Sequence, residues 1–372
     1  MNITREETGS LTATIKVELG SEDYARDVEK TLKEHQKNAV IHGFRPGKVP
    51  FGMIKKLYGK SVLLDQINQL LSENLNKYLQ EEELKIIGNP IPSREKSPEM
   101  DLDHQTSFDF YFDIGLMPEF DLKLDERSTV EYYDISASDK MVDDSIHNWQ
   151  HRFGEHHHDG DENEHEHQEG EEHQHEPAEL NEDFFNKVFP GEGIKDLKTF
   201  RERTRKAIEN SLVPESERYF MNTVIEKLVK DIAIELPEKF LRKWLKEGGD
   251  KELTDEQVEG QYENFSKSLR WQLIESKIAR DHEIKVEEVE MRDFVKQYFA
   301  GRVVLSAEDS QANEHLDSLA TSVLSNQEEA KRIQEELFDK KMLEFFKNKF
   351  KLKHKKLEYD DFVKKVTDKK EK

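Results

Sequence analysis

The chain has no cysteine. Disulfides, thiolate nucleophiles and Cys-ligated zinc are excluded, and nothing in the composition calls for an oxidising compartment. Apolar residues are scarce as well: 34% are hydrophobic against 37% charged, with a mean hydropathy of -0.90. No run approaches the roughly 18 apolar residues of a membrane-spanning helix, and Met1-Asn2-Ile3-Thr4-Arg5-Glu6-Glu7 lacks the apolar core of a signal peptide. The sequence therefore reads as soluble and cytoplasmic, with no membrane partner. Cationic excess is missing too, since 57 Lys and Arg face 80 Asp and Glu for a net charge of -23. Such a chain does not coat nucleic acid along an extended basic face, so any phosphate contact must be local.

A length of 372 residues allows two or three domains. So few apolar residues argue against one compact core and for an elongated, largely helical molecule. Between positions 11 and 19 the odd residues Leu11, Ala13, Ile15, Val17 and Leu19 alternate with polar ones, the period of a half-buried strand. Ser21 is placed to cap a following helix of about 18 residues, with Glu22 and Asp23 at the positive end of its dipole and Tyr24, Val28 and Leu32 on one face. Pro50 suits the first turn of a short helix that buries Ile54 and Leu57 and ends at Gly59. A longer helix follows, its stripe Leu63, Ile67, Leu70, Leu71, Leu75, Tyr78 and Leu79. Phe108, Phe110, Phe112, Ile114 and Leu116 then alternate as a second strand. The expected class is α+β: a small, mostly antiparallel sheet with helices over residues 1–115, then an elongated, mostly helical body with arms.

The helix from Ser21 must stop at Gly43-Phe44-Arg45-Pro46-Gly47-Lys48-Val49-Pro50. Glycine permits backbone angles closed to other residues and proline fixes its own, so this is a shaped loop carrying two cations and one Phe. It is either a solvated turn joining two helices or a small hook that touches a polyanion, such as one spot of a ribonucleoprotein.

Residues 151–176 break the pattern, with eight of the fifteen histidines and ten carboxylates. No core can form there. The tract is read as a disordered solvating linker, with opportunistic Ni²⁺ or Zn²⁺ binding by His156, His157, His158, His165, His167, His173 and His175 as the alternative. Beyond Pro177 helical repeats return: Val224, Leu228 and Ile232; Leu269, Leu273 and Ile274; Leu337, Met342, Phe345 and Phe346. The last group is either core or a site for apolar clients. The Lys-rich stretch 347–356 is either a second RNA contact or a solvated helix end and tail.

The loop, with Tyr58-Gly59-Lys60 and the helix that follows, resembles the ribosome-docking head of trigger factor, whose pattern there is Gly-Phe-Arg-X-Gly-Lys-X-Pro. Weaker matches follow in the family's order at Pro118-Glu119-Phe120-Asp121-Leu122, at Pro177-Ala178-Glu179-Leu180-Asn181-Glu182-Asp183-Phe184-Phe185, and at Ile232-Ala233-Ile234-Glu235-Leu236-Pro237. Together they cover most of the chain. The resemblance implies an ATP-independent chaperone that docks on the large ribosomal subunit, touching protein and rRNA at the tunnel exit, and shields nascent polypeptides. Gly43, Phe44, Arg45, Gly47 and Lys48 would be the docking residues; weak homodimers and no cofactor are also implied. Its domains would be a head at 1–115, a linker and first part of the body at 116–150, the His/acid tract at 151–176 and the chaperone body at 177–372.

Two departures stand out. Position 46, often basic in the family, is Pro, which removes one phosphate contact and stiffens the turn. Where most members insert a prolyl isomerase module resembling the FK506-binding fold, this chain has only the tract, which is too short and polar to build an apolar pocket. No isomerase activity is expected, although isomerase remains the alternative function, beside metal binding. Gly59-Lys60-Ser61 is not a phosphate-binding P-loop, because the glycine that motif needs five residues earlier is Ile54. Acidic residues abound, yet none sits in a context that suggests a desolvated catalytic pair.

Overall fold

A computed structural model describes the chain except for residues 46, 94–95, 97–100, 103–105, 126, 154–176, 250, 301–309 and 371–372. In order, the elements are β1 (Asn2–Gly9), β2 (Thr12–Leu19), α1 (Ser21–Asn38), α2 (Phe51–Glu81), β3 (Ile86–Pro92), β4 (Phe108–Leu116), β5 (Thr129–Ser136) and α3 (Asp139–Arg152). There follow α4 (Glu182–Val188), α5 (Leu197–Asp231), α6 (Glu238–Glu247), α7 (Asp255–Asp281), α8 (Glu288–Ala300), α9 (Ser310–Ser325), α10 (Gln327–Lys349), β6 (Lys351–Glu358) and α11 (Tyr359–Lys370). They form two units, Met1–Asp121 with Ile232–Leu273, and Leu122–Asp231 with Ile274–Lys372.

In the first unit both expected strands form, and β2 pairs with β4 antiparallel from Thr12↔Gly115 to Leu19↔Phe108. Ala13, Ile15, Val17 and Leu19 are all buried, as their alternation requires. The sheet has the order β1-β2-β4-β3 and is antiparallel throughout. Its two edge strands, β1 and β3, go beyond the sequence reading. β1 offers only Ile3 to the core, and β3 contains Pro90 and Pro92, which withhold a backbone donor and are tolerated at an edge. Tyr24 from α1 and Ile67, Leu71, Leu75 and Leu79 from α2 close one core over the sheet.

Three details depart from the periodicity argument. The N-cap of α1 is Gly20, and Ser21 is already helical; the Asp23 carboxylate accepts the Gly20 N–H at 2.8 Å and does the capping. No break occurs at Gly59, because α2 is one helix of 31 residues. Ile54 and Val62 flank that glycine and are both buried in a cluster with Leu32 and Val49. Burying two such side chains contributes about 3–6 kcal/mol, against about 1 kcal/mol for one helical glycine. Leu57, expected inside, is 58% exposed. It lies about 100° round the helix from the midpoint of Ile54 and Val62.

The same unit includes α6 and the part of α7 up to Leu273. Phe240 of α6 lies over Gly115. Beside it, the Lys243 ammonium donates to Asp113 Oδ2 at 2.7 Å and the Thr14 hydroxyl donates to Oδ1 at 2.9 Å. Burial pushes the Asp113 carboxyl up, but these two hydrogen bonds and the Lys243 charge outweigh it and hold the group below the usual carboxylate range.

In the second unit, Asn181 caps α4 by accepting the Phe184 N–H at 3.0 Å. Phe184, Phe185 and Phe200 form an aromatic centre, with Phe185 and Phe200 stacked at 4.4 Å and Trp149 and Phe189 edge-on around Phe200. α5 carries Val224 and Leu228 inward, as its spacing predicts, and continues past Pro214 without ending. Gln150 and Ala178 exchange two hydrogen bonds, Ala178 N–H to Gln150 O at 3.0 Å and Gln150 Nε2 to Ala178 O at 2.8 Å. The chain thus meets itself across the His/acid tract, whose residues 154–176 lie outside the described ones.

The Lys-rich stretch is corrected here, because only its start ends a helix. Residues 351–358 form β6, parallel to β5 from Thr129↔Lys351 to Ser136↔Glu358. Val130, Tyr132, Tyr133 and Ile135 on β5 are buried and hold the pair in place, with Tyr132 against Phe220 and Tyr133 against Tyr219 and Phe362. Met342 and Phe346 of α10 are buried as well, and Leu337 packs on Val295, Ala320 and Ile333, so this stripe is core.

Candidate docking site on the first unit

The segment between α1 and α2 is built from two consecutive turns. The Phe44 N–H donates to Ile41 O at 3.0 Å, and the Lys48 N–H donates to Arg45 O at 3.0 Å. Gly43 and Gly47 each fall third in their turn, with φ of +90° and +75°, the position where a type II turn demands a positive φ. Behind the turns, Val49 is buried with Leu32, Ile54 and Val62, and Gln36 Nε2 donates to Val49 O at 2.7 Å. His35 of α1 stacks on Tyr58 of α2 at 5.5 Å, pinning the two helices beside the loop.

What this anchor presents to solvent is the set of side chains singled out in the sequence. Phe44 is 37% exposed, and Arg45 and Lys48 are exposed. No described carboxylate pairs with either cation. Gly43, Phe44, Arg45, Gly47 and Lys48 are thus brought together on one loop; the reading of Pro46 lies outside the described residues.

The sequence reading missed the surroundings. Val40, Met53 and Leu57 are exposed large apolar side chains on the flanking segments, and Lys37, Lys55, Lys56 and Lys60 are exposed there too. The signal was available: positions 35–64 contain no Asp or Glu, in a chain with 80 of them, and hold six Lys and Arg. Between α1 and α2 a groove of about 790 Å³ is lined by Tyr24, Val28, Leu32, Phe51 and Leu63, together with Lys55, Lys56 and Lys60.

Gly59-Lys60-Ser61 lies inside α2, leaving no loop to cradle a phosphate. The seven tract histidines lie outside the described residues, and among the described residues no group of three or more His, Cys, Asp or Glu is placed to hold a metal. No described helix is long and apolar enough to cross a membrane.

A small antiparallel sheet with a glycine-turn loop, followed by a mostly helical body, is the architecture of the trigger factor chaperones. A solved chain from work on promiscuous substrate recognition in folding and assembly by the trigger factor chaperone aligns over 93% of this chain and 98% of its own, with a TM-score of 0.50 and 15% identity. The family model described as bacterial trigger factor protein matches residues 1–149, and that described as probable trigger factor, C-terminal domain, matches 216–366. The chain belongs to the trigger factor family. Among curated relatives, the trigger factor of Francisella tularensis subsp. holarctica is 28% identical over 153 residues, 41% of this chain and 34% of the relative. That of Brucella anthropi is 30% identical over 149 residues, 39% of this chain and 31% of the relative. These alignments span about a third of the relatives' own length.

Proposed function

We propose that this protein is an ATP-independent cytoplasmic chaperone that docks on the large ribosomal subunit at the tunnel exit and shields apolar segments of nascent chains. One observation carries the reading: Phe44, Arg45 and Lys48 stand exposed on two glycine turns, within the acid-free stretch 35–64 of a chain of net charge -23. Charge–charge interaction falls off over about 8 Å at physiological salt, so this patch is attracted at short range while repulsion between the anionic remainder and a phosphate-rich particle is largely screened. Family membership supports the same partner.

Clients would be held by apolar burial, worth roughly 25 cal/mol per Å², with no sequence-specific hydrogen bond required. The groove between α1 and α2 is one apolar surface open to them. Tethering beside emerging polypeptide raises its effective concentration, so weak intrinsic affinity suffices, and release follows when the client buries the same groups in its own core. Isomerase activity is not part of this reading. Gln150 and Ala178 are hydrogen-bonded to each other, and the residues between them are too few to wrap a sheet on a helix and line an apolar pocket.

The test is co-sedimentation with 50S subunits. Changing Phe44, Arg45 and Lys48 together to Ala is expected to reduce the bound fraction at least ten-fold with the fold intact, and unchanged binding would refute the docking role.

A further inference from the structure

Helix α3 is fixed along one side, where Val142 and Ile146 are buried and Trp149 meets Phe189 and Phe200. On its exposed side it carries two histidines one turn apart. His147 and His151 bring their Nε2 atoms to 3.0 Å, with ring planes at 88° and centroids 4.4 Å apart. An N–H···N hydrogen bond uses one proton and one lone pair at that point. A metal ion uses both lone pairs. Imidazole nitrogens bind first-row divalent ions at about 2.0–2.1 Å. From a spacing of 3.0 Å, two such nitrogens subtend about 90–97° at a shared ion. That angle is well short of tetrahedral and belongs to square-planar, tetragonal and octahedral coordination.

We propose that His147 and His151 form a bidentate chelate for a divalent transition-metal ion, with Cu²⁺ and Ni²⁺ preferred over Zn²⁺. The bite angle sets that preference, and copper leads the affinity order for nitrogen ligands. Both residues lie in the last two turns of α3, which ends at Arg152, where the helix dipole is negative and favours a cation. The backbone that carries them is already ordered by the aromatic core, so chelation has little conformational entropy to overcome. No third described carboxylate or imidazole completes the set; water fills the other positions and the ion exchanges freely. The pair is separate from the seven histidines at 156–175, which lie outside the described residues.

Because those seven would mask the signal, the test uses the full-length chain with His156, His157, His158, His165, His167, His173 and His175 all changed to Ser. Calorimetric titration with CuCl₂ and NiCl₂ is expected to show one remaining equivalent, and the Cu²⁺ EPR spectrum two equatorial imidazole nitrogens. H147A, H151A and the exchange H151R/R152H should each weaken copper binding at least ten-fold. The exchange keeps the composition and moves one imidazole about 100° round the helix. All three changes fall on exposed positions, and circular dichroism checks that helix content is kept. A Ser-substituted chain without a copper site, or one whose affinity ignores all three changes, overturns the proposal.

Discussion

At position 47 the backbone φ is +75°, and a Cβ would sit 3.4 Å from the Lys37 carbonyl. At position 43 the φ is +90°, but the space around it is open. Both turns therefore ask for glycine because of the positive φ, since a Cβ finds room at either position. Gly47→Ala is expected to cost about 1–2 kcal/mol of local strain. Gly47→Ala and Gly43→Ala should each weaken 50S co-sedimentation, although neither removes a charge; equal binding by both variants and the parent would show that loop shape is irrelevant. These residues were legible because Gly and Pro punctuate a sequence wherever they stand. Met53 and Leu57 were not, since an apolar residue at helical spacing reads as core until the true buried face, set by Ile54 and Val62, is known.

Between α7 and α10 the packing sets carboxylates near one another. Burial pushes the Glu275 carboxyl above its ordinary range, and the Asp339 charge pushes it further the same way. A carboxyl raised in the folded state contributes stability that is fully present below its unfolded pKa, near 4.3, and is lost as pH rises through the folded value. Glu275→Gln is thus expected to raise the unfolding temperature at pH 7 and to leave it unchanged near pH 3. Calorimetric scans at both pH values check this, and a variant less stable at pH 7 would contradict it. Elements whose faces differ sharply were readable in advance: β2, β4 and α1 follow from alternation or a period of 3.6. Four strands were unforeseen. β1 and β3 are edges, and β6 puts Lys at 351, 353 and 355 where apolar residues would signal a strand; its partner β5 buries Val130, Tyr132, Tyr133 and Ile135, but the adjacent Tyr132 and Tyr133 interrupt a strict alternation. Gly59 misled for a different reason, because tertiary burial on both sides overrode its low propensity.

For the molecule as a whole, the expected activity is stoichiometric and needs no nucleotide. Suppression of aggregation of a denatured client should appear near equimolar protein without ATP, while refolding limited by proline isomerisation should not accelerate at catalytic concentrations; acceleration there would reinstate an isomerase. Removing residues 155–176 should change neither result. The paired hydrogen bonds of Gln150 and Ala178 carry this reasoning beyond the natural chain. Loop closure grows only with the logarithm of length, about 0.6 kcal/mol per doubling, and here the two ends are already fastened together. The seam is thus a ready graft point: a foreign folded module with neighbouring termini could be spliced there, riding on the scaffold without unsettling it.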